Sequence, residues 1–138
     1  MSAEKRRPCK KCGRNRAERF FTGPRGHTCK SCRKRRVQLA GRDVRLMENY
    51  GITLEEYDAL FDAQGGRCAI CQGKRSGNLD VDHDHKLEKA GLPKRETVRG
   101  LLCRRCNRRL LPAATDNTTV LEWAIRYLDE PPARRVLT

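Results

Sequence analysis

All eight cysteines of this chain fall into four Cys-x-x-Cys pairs: Cys9/Cys12, Cys29/Cys32, Cys68/Cys71 and Cys103/Cys106. Two thiols two residues apart make half of a tetrahedral metal site, so four pairs supply two complete sites. The chain needs them. Of its 138 residues only 37% are hydrophobic and 35% are charged, too little apolar material for a large core. A four-thiolate zinc site contributes on the order of 10 kcal/mol to folding at neutral pH, which offsets that shortfall. The competing use of paired cysteines is a disulfide framework in a secreted protein. The start, Met-Ser-Ala-Glu-Lys-Arg-Arg, has no apolar run of signal-peptide type. No stretch approaches the roughly 18 apolar residues of a membrane span. The expected compartment is therefore the reducing cytoplasm, where such pairs hold metal.

The pairs divide the chain. Sixteen residues separate Cys12 from Cys29, the spacing of a zinc ribbon whose two knuckles share one ion. Residues 1–36 are expected to form this basic module, with Gly13, Gly23, Pro24 and Gly26 at turns. Phe20 and Phe21 would pack on the knuckles, or stack on bases. Four cysteines complete the site, so His27 reads as a bystander. Residues 37–50 read as a helical connector, loosely striped and interrupted by Gly41. Residues 51–111 begin with a Thr53-to-Glu56 capping box, a helix ending at Gly65-Gly66, and the knuckle Cys68/Cys71. A strand at 79–83, a polar loop over 86–97 and a return strand at 98–102 follow. The second knuckle, Cys103/Cys106, then opens a helix carrying Asn107. The 31 residues between these pairs are long for a ribbon, but a β-hairpin fills them and returns the chain to one metal. Residues 112–138 form a tail in which Pro112 breaks the preceding helix and Asp116 or Asn117 caps a last one. Its stripe is Leu121, Ala124, Ile125 and Leu128, with Trp123 and Tyr127 read as core packing; a homodimer contact is the other use of that face.

Charge points to a partner. Residues 1–52 carry 16 Lys/Arg against 4 Asp/Glu, and residues 53–138 carry 15 against 13. So basic an N-terminal portion suits phosphate backbones, and DNA is the expected partner. Candidate contacts are Arg33, Lys34, Arg35 and Arg36, with Arg104, Arg105, Arg108 and Arg109 on the second knuckle. A merely solvated face is the plainer reading of each run.

Between the second two pairs lies Asp82-His83-Asp84-His85, and Asn107 follows Cys106 directly. A carboxylate and an amide oxygen suit Mg²⁺ or Mn²⁺, which keep several waters and need few protein ligands. A neutral imidazole, with an ordinary pKa near 6.5, can take a proton from water at cellular pH. Asp82 and Asn107 as metal ligands with His83 as base would make a phosphodiester hydrolysis site.

Cys68-x-x-Cys71, Asp82-His83-Asp84-His85 and Val98-Arg99-Gly100-Leu101-Leu102-Cys103-x-x-Cys106-Asn107 together closely resemble the phage recombination endonuclease VII group of His-Me finger (HNH, ββα-metal) nucleases. The likeness covers residues 51–111. It implies that Asp82 and Asn107 bind a catalytic Mg²⁺ or Mn²⁺, that His83 is the general base, that His85 assists, and that the four middle cysteines hold a structural zinc. The implied compartment is a bacterial or phage-infected cell. Three departures stand out. The segment from His85 to Val98 is longer than in compact members. Leu110 stands where a further family carboxylate would lie, with Asp84 or Asp80 as substitutes. One short helix follows Pro112, so branched-DNA resolution is the less transferable property. The expected fold is a small zinc-stabilised α+β protein: a zinc ribbon, a ββα-metal domain and a short C-terminal helix. The expected function is a DNA endonuclease with two structural Zn²⁺. The alternative is a non-catalytic, zinc-containing DNA-binding protein on the same scaffold.

Overall fold

The computed structural model describes residues 5–75 and 77–137, so the reading of residues 1–4 as free of a leader lies outside it. The chain forms two compact units, residues 1–54 and 55–138. No described helix is long and apolar enough to cross a membrane.

In the first unit, strands β1 (Arg6–Pro8) and β2 (Asn15–Ala17) pair antiparallel, with Arg7 opposite Arg16. The turn between them carries Cys9 and Cys12. Cys29 precedes helix α1 (Lys30–Tyr50), and Cys32 lies in its first turn. The four sulfurs converge, and Phe21, 3% exposed, packs against Cys9 and Cys29. Phe20 instead stands 41% exposed, with the Arg19 guanidinium 5.1 Å from its ring. The expected connector is thus part of one continuous helix that begins inside the metal module and runs through Gly41. It ends at Gly51, whose φ of +67° closes the last turn at the Met47 carbonyl.

The second unit is built on a hairpin. Helix α2 (Leu54–Ala63) buries Tyr57, whose hydroxyl donates to the Leu79 carbonyl at 2.8 Å. Gly65 and Gly66 end it with paired bonds to the Asp62 and Phe61 carbonyls, the left-handed stop that glycine makes easy. The Gln64 side chain then imitates a peptide group. Its amide donates to the Leu101 carbonyl at 2.8 Å and accepts from the Leu101 N–H at 2.9 Å, tying α2 to the sheet. Strands β3 (Asp80–His83) and β4 (Val98–Leu102) pair antiparallel around buried Leu79, Val81, Leu101 and Leu102.

Three expectations are corrected. The segment 86–97 is no plain loop: it holds α3 (His85–Lys89) and α4 (Lys94–Thr97). Asp84 makes the first of these, its carboxylate accepting from the N–H groups of Lys86 at 2.8 Å and Leu87 at 3.2 Å. Pro112 does not break the helix after the second knuckle. A π-helical turn (Cys106–Leu110) runs directly into α5 (Leu111–Ala113), and Pro112 lies inside α5 without ending it. The break falls at Thr115 and Asp116, with φ of +52° and +50°. Asn117 then caps α6 (Thr118–Asp129), and α7 (Ala133–Val136) is the last described element. Finally, Trp123 and Tyr127 are not core: they are 67% and 63% exposed, as Ile125 and Leu128 are at 59% and 71%.

Candidate functional site

Each unit holds one four-sulfur cluster. Cys9, Cys12, Cys29 and Cys32 form one, and Cys68, Cys71, Cys103 and Cys106 the other, with all sulfurs in each within 4.8 Å of one another. Zinc–sulfur bonds of about 2.3 Å in a tetrahedron put neighbouring sulfurs about 3.8 Å apart. The observed Cys71–Cys103 distance is 3.8 Å and Cys9–Cys32 is 4.0 Å, far too long for disulfides. Charge is unevenly held within each cluster. The Cys106 N–H, with neighbouring sulfurs, holds the Cys103 thiol down to about 6, while burial and those same sulfurs push Cys106 up to about 12. The Cys29 N–H likewise holds Cys9 down to about 6. Both clusters are consistent with structural zinc sites, and both are closed, four-ligand sets without room for chemistry.

The second cluster fixes the hairpin from both ends. The N–H of Ala69, inside the first knuckle, bonds the Leu101 carbonyl at 3.2 Å. Cys103 follows β4 directly, and the π turn after it carries Asn107. The hairpin register shifts between Asp82, opposite Gly100, and His83, opposite Val98. Arg99 is the extra residue, and such a bulge re-aims side chains. Here it turns Arg99 onto Asp82. The guanidinium meets that carboxylate in a fork, Nε to Oδ2 at 2.7 Å and a terminal nitrogen to Oδ1 at 3.0 Å. Asp82 is only 7% exposed, so a counter-charge is required there. Gly100, with φ +156°, permits the bulge; a Cβ there would sit 3.2 Å from the Gln64 amide oxygen.

A small open pocket of about 180 Å³ collects the key groups. Asp82, His85, Arg99 and Asn107 line it together with Leu111, Pro112, Thr115 and Asp116. Three of the four residues singled out from sequence, Asp82, His85 and Asn107, therefore share one cavity. His83 does not line it, but its ring meets that of His85 edge-on with centroids 4.4 Å apart. Oxygen donors from Asp82, Asn107 and Asp116 around one pocket suit a hard divalent cation, and the Arg99 guanidinium between Asp82 and Asp116 shows that positive charge is accommodated there.

Two participants escaped the sequence reading. Glu88, on α3, places Oε2 at 3.2 Å from His83 Nε2 and 3.6 Å from His85 Nδ1. The three form a further group with metal-ligand geometry, all within 4.8 Å. Its only sequence signal was the Asp84 cap with Glu88 four residues on. The other is Arg99, visible in sequence only as part of a motif. Of Asp84 and Asp80, the substitutes considered for a missing carboxylate, Asp84 caps α3, while Asp80 has Arg108 at 3.3 Å but a buried Oδ2 without a hydrogen-bond partner. The Leu87 and Lys86 N–H groups hold the Asp84 carboxyl below its ordinary range.

An open groove of about 750 Å³ runs over the second knuckle, lined by Arg75, Asn78, Arg104, Arg105, Arg108 and Arg109. All four arginines expected there converge, and Arg75 joins them. On the first unit, Arg33 and Arg36 share a pocket of about 280 Å³ with Lys11, Thr22, His27 and Thr28. Lys34 and Arg35 are exposed on the same helix outside it.

The family model for recombination endonuclease VII matches residues 43–130. The chain is 42% identical over 140 aligned residues to Gene 59 protein of Mycobacterium phage D29, covering 96% of this chain and 79% of that protein. It is 39% identical to Gene 59 protein of Mycobacterium phage L5, covering 96% and 80%. No solved structure matches.

Proposed function

The chain belongs to the recombination endonuclease VII family, and on that premise we propose that it is a metal-dependent DNA endonuclease of HNH (ββα-metal) type. The observation that carries this reading is the shared pocket of Asp82, His85 and Asn107 beside a groove lined by five arginines. Asp82 and Asn107 would hold one Mg²⁺ or Mn²⁺. Bound there, the ion would supply charge stabilisation for a pentacovalent phosphate and its leaving oxygen.

The chain's own groups do the rest. His83 accepts the proton of the attacking water, and Glu88, at 3.2 Å, orients its ring. If Nε2 is protonated and donates to Glu88, Nδ1 is the nitrogen left to accept. His85 stacks edge-on against the base and keeps it in place. Arg104, Arg105, Arg108 and Arg109, with Arg75, hold phosphates of the strand to be cut, fixing its register without reading bases. The first unit adds phosphate contacts through Lys11, Arg33 and Arg36. The two clusters of cysteines take no part in proton transfer.

Supercoiled plasmid tests the reading. With Mg²⁺ or Mn²⁺, the wild type should relax or linearise it, and His83→Ala should lose that activity while keeping its zinc. Equal cutting by both proteins would sink the assigned mechanism. Retained DNA binding with no cutting by either would favour the alternative, a zinc-containing DNA-binding protein. Parallel RNA substrates define the nucleic acid.

A further inference from the structure

We propose that Asp116 is a further carboxylate ligand of the divalent cation at the Asp82–Asn107 pocket, with Arg99 as the cation that keeps its place. The inference rests on the metal-dependent reading above and extends it to a residue that no motif marks.

Asp116 lines the same pocket as Asp82 and Asn107. One terminal nitrogen of Arg99 spans the two acids, 3.0 Å from Asp82 Oδ1 and 3.5 Å from Asp116 Oδ2. A single cationic group thus already sits between both carboxylates. The two contacts differ in kind. The bond to Asp82 is a short fork to a buried acid. The contact to Asp116 lies at the outer limit of a hydrogen bond, and so contributes little to holding the fold. A structural anchor for Arg99 would be expected closer.

The backbone around Asp116 is shaped to present it. The N–H groups of Thr115 and Asp116 close α5 on the carbonyls of Pro112 and Leu111, each at 3.0 Å. In that closing arrangement the left-handed position usually belongs to glycine. Here Thr115, a β-branched residue, holds φ +52° and Asp116 follows at +50°. Nearby acids are placed elsewhere: Asp84 caps α3 and Asp80 has Arg108 beside it at 3.3 Å, and neither lines this pocket. Two carboxylates and an amide oxygen leave half of a hexacoordinate shell to water and phosphate, an arrangement that suits Mg²⁺ or Mn²⁺. Arg99, a third exposed, has a path to solvent when a divalent ion takes its place.

The test is Mn²⁺ binding to the zinc-loaded full chain without DNA, followed by loss of the free-ion electron paramagnetic resonance signal. Asp116→Asn is isosteric and asparagine tolerates the left-handed region, so the fold should persist; zinc content and circular dichroism check this. It should weaken Mn²⁺ binding by on the order of tenfold or more, as Asn107→Ala should. If Asp116→Asn binds like the wild type while Asn107→Ala loses affinity, Asp116 is no ligand. If Asn107→Ala also binds like the wild type, the cation is not held at this pocket. The metal-dependent reading then falls first, and the present inference with it.

Discussion

Replacing Arg99 by glutamine isolates the least visible contact of the site. Asp82 is 7% exposed, and Arg99 supplies its counter-charge through bonds of 2.7 and 3.0 Å. Deleting one partner of a fully buried pair costs about 3–5 kcal/mol, because the other charge is stranded. Here the Arg99 side chain is 34% exposed, so water reaches one side of the pair. That lowers the expectation to about 2 kcal/mol. For a unit of this size, such a loss lowers the melting temperature by on the order of 10 °C. The assay is thermal unfolding of the zinc-loaded protein, with both units' transitions resolved, and only that of residues 55–138 should move. The double variant Asp82→Asn/Arg99→Gln removes both charges and should recover part of the loss, a coupling of about 1–2 kcal/mol. Mn²⁺ should raise the melting temperature of Arg99→Gln more than that of the wild type. A single variant within roughly 0.5 kcal/mol of the wild type would refute the claim that Asp82 depends on Arg99.

Asp84→Ala should lower both the melting temperature and plasmid cleavage, since it uncaps the helix that carries His85 and Glu88, and Asp84→Ser should restore much of each. The pH sign follows from the same bonds. With its carboxyl held below the ordinary 3.8, Asp84 contributes fully above that value, and the contribution disappears as pH falls through the lower folded-state value. Acid titration of the wild type against Asp84→Ala should therefore converge only below pH 3.8. Arg75→Ala should weaken DNA binding evenly across sequences and reduce the slope of log affinity against log salt by about 1. Metal analysis should find two zinc ions per chain. Cys103→Ser should lose one together with cleavage, whereas Cys29→Ser should lose one with a fall in DNA affinity.

What could be read from sequence was what the covalent spacing enforces. Cys-x-x-Cys brings two sulfurs to one ion wherever the knuckle lies, so both clusters followed from counting. Asn107 is covalently adjacent to a ligand, so the cluster that fixes Cys106 also fixes it. The hairpin followed because Cys71 and Cys103 must meet. The Asp82–Arg99 fork did not follow, because it depends on one extra residue in β4. In a regular ladder Arg99 would stand opposite His83 instead, and no periodicity marks a one-residue bulge. The apolar stripe of α6 was legible as a pattern but not as a destination. Amphipathicity tells which face seeks cover, and within this chain Trp123, Ile125, Tyr127 and Leu128 find little.

The segment after His85 shows what a local reading of the residues leaves open. Asp84 stands between two histidines, and by composition alone it is a spare metal ligand. Its carboxylate is committed to two backbone N–H groups, and without that commitment so short and polar a stretch has little reason to be helical. The helix it starts is what brings Glu88 to within 3.2 Å of His83 and 3.6 Å of His85. Asp84 therefore acts on both histidines through the backbone, and Glu88 acts on them directly. On the proposed mechanism, an acid that caps a helix sets the position of one that would orient the base. This predicts a ranking that a ligand role for Asp84 would reverse. Glu88→Gln should impair cleavage with little change in Mn²⁺ affinity, and Asp84→Ala should follow it. Asp82→Asn should lose both. A fall in Mn²⁺ affinity for Asp84→Ala as large as that for Asp82→Asn would return Asp84 to the metal.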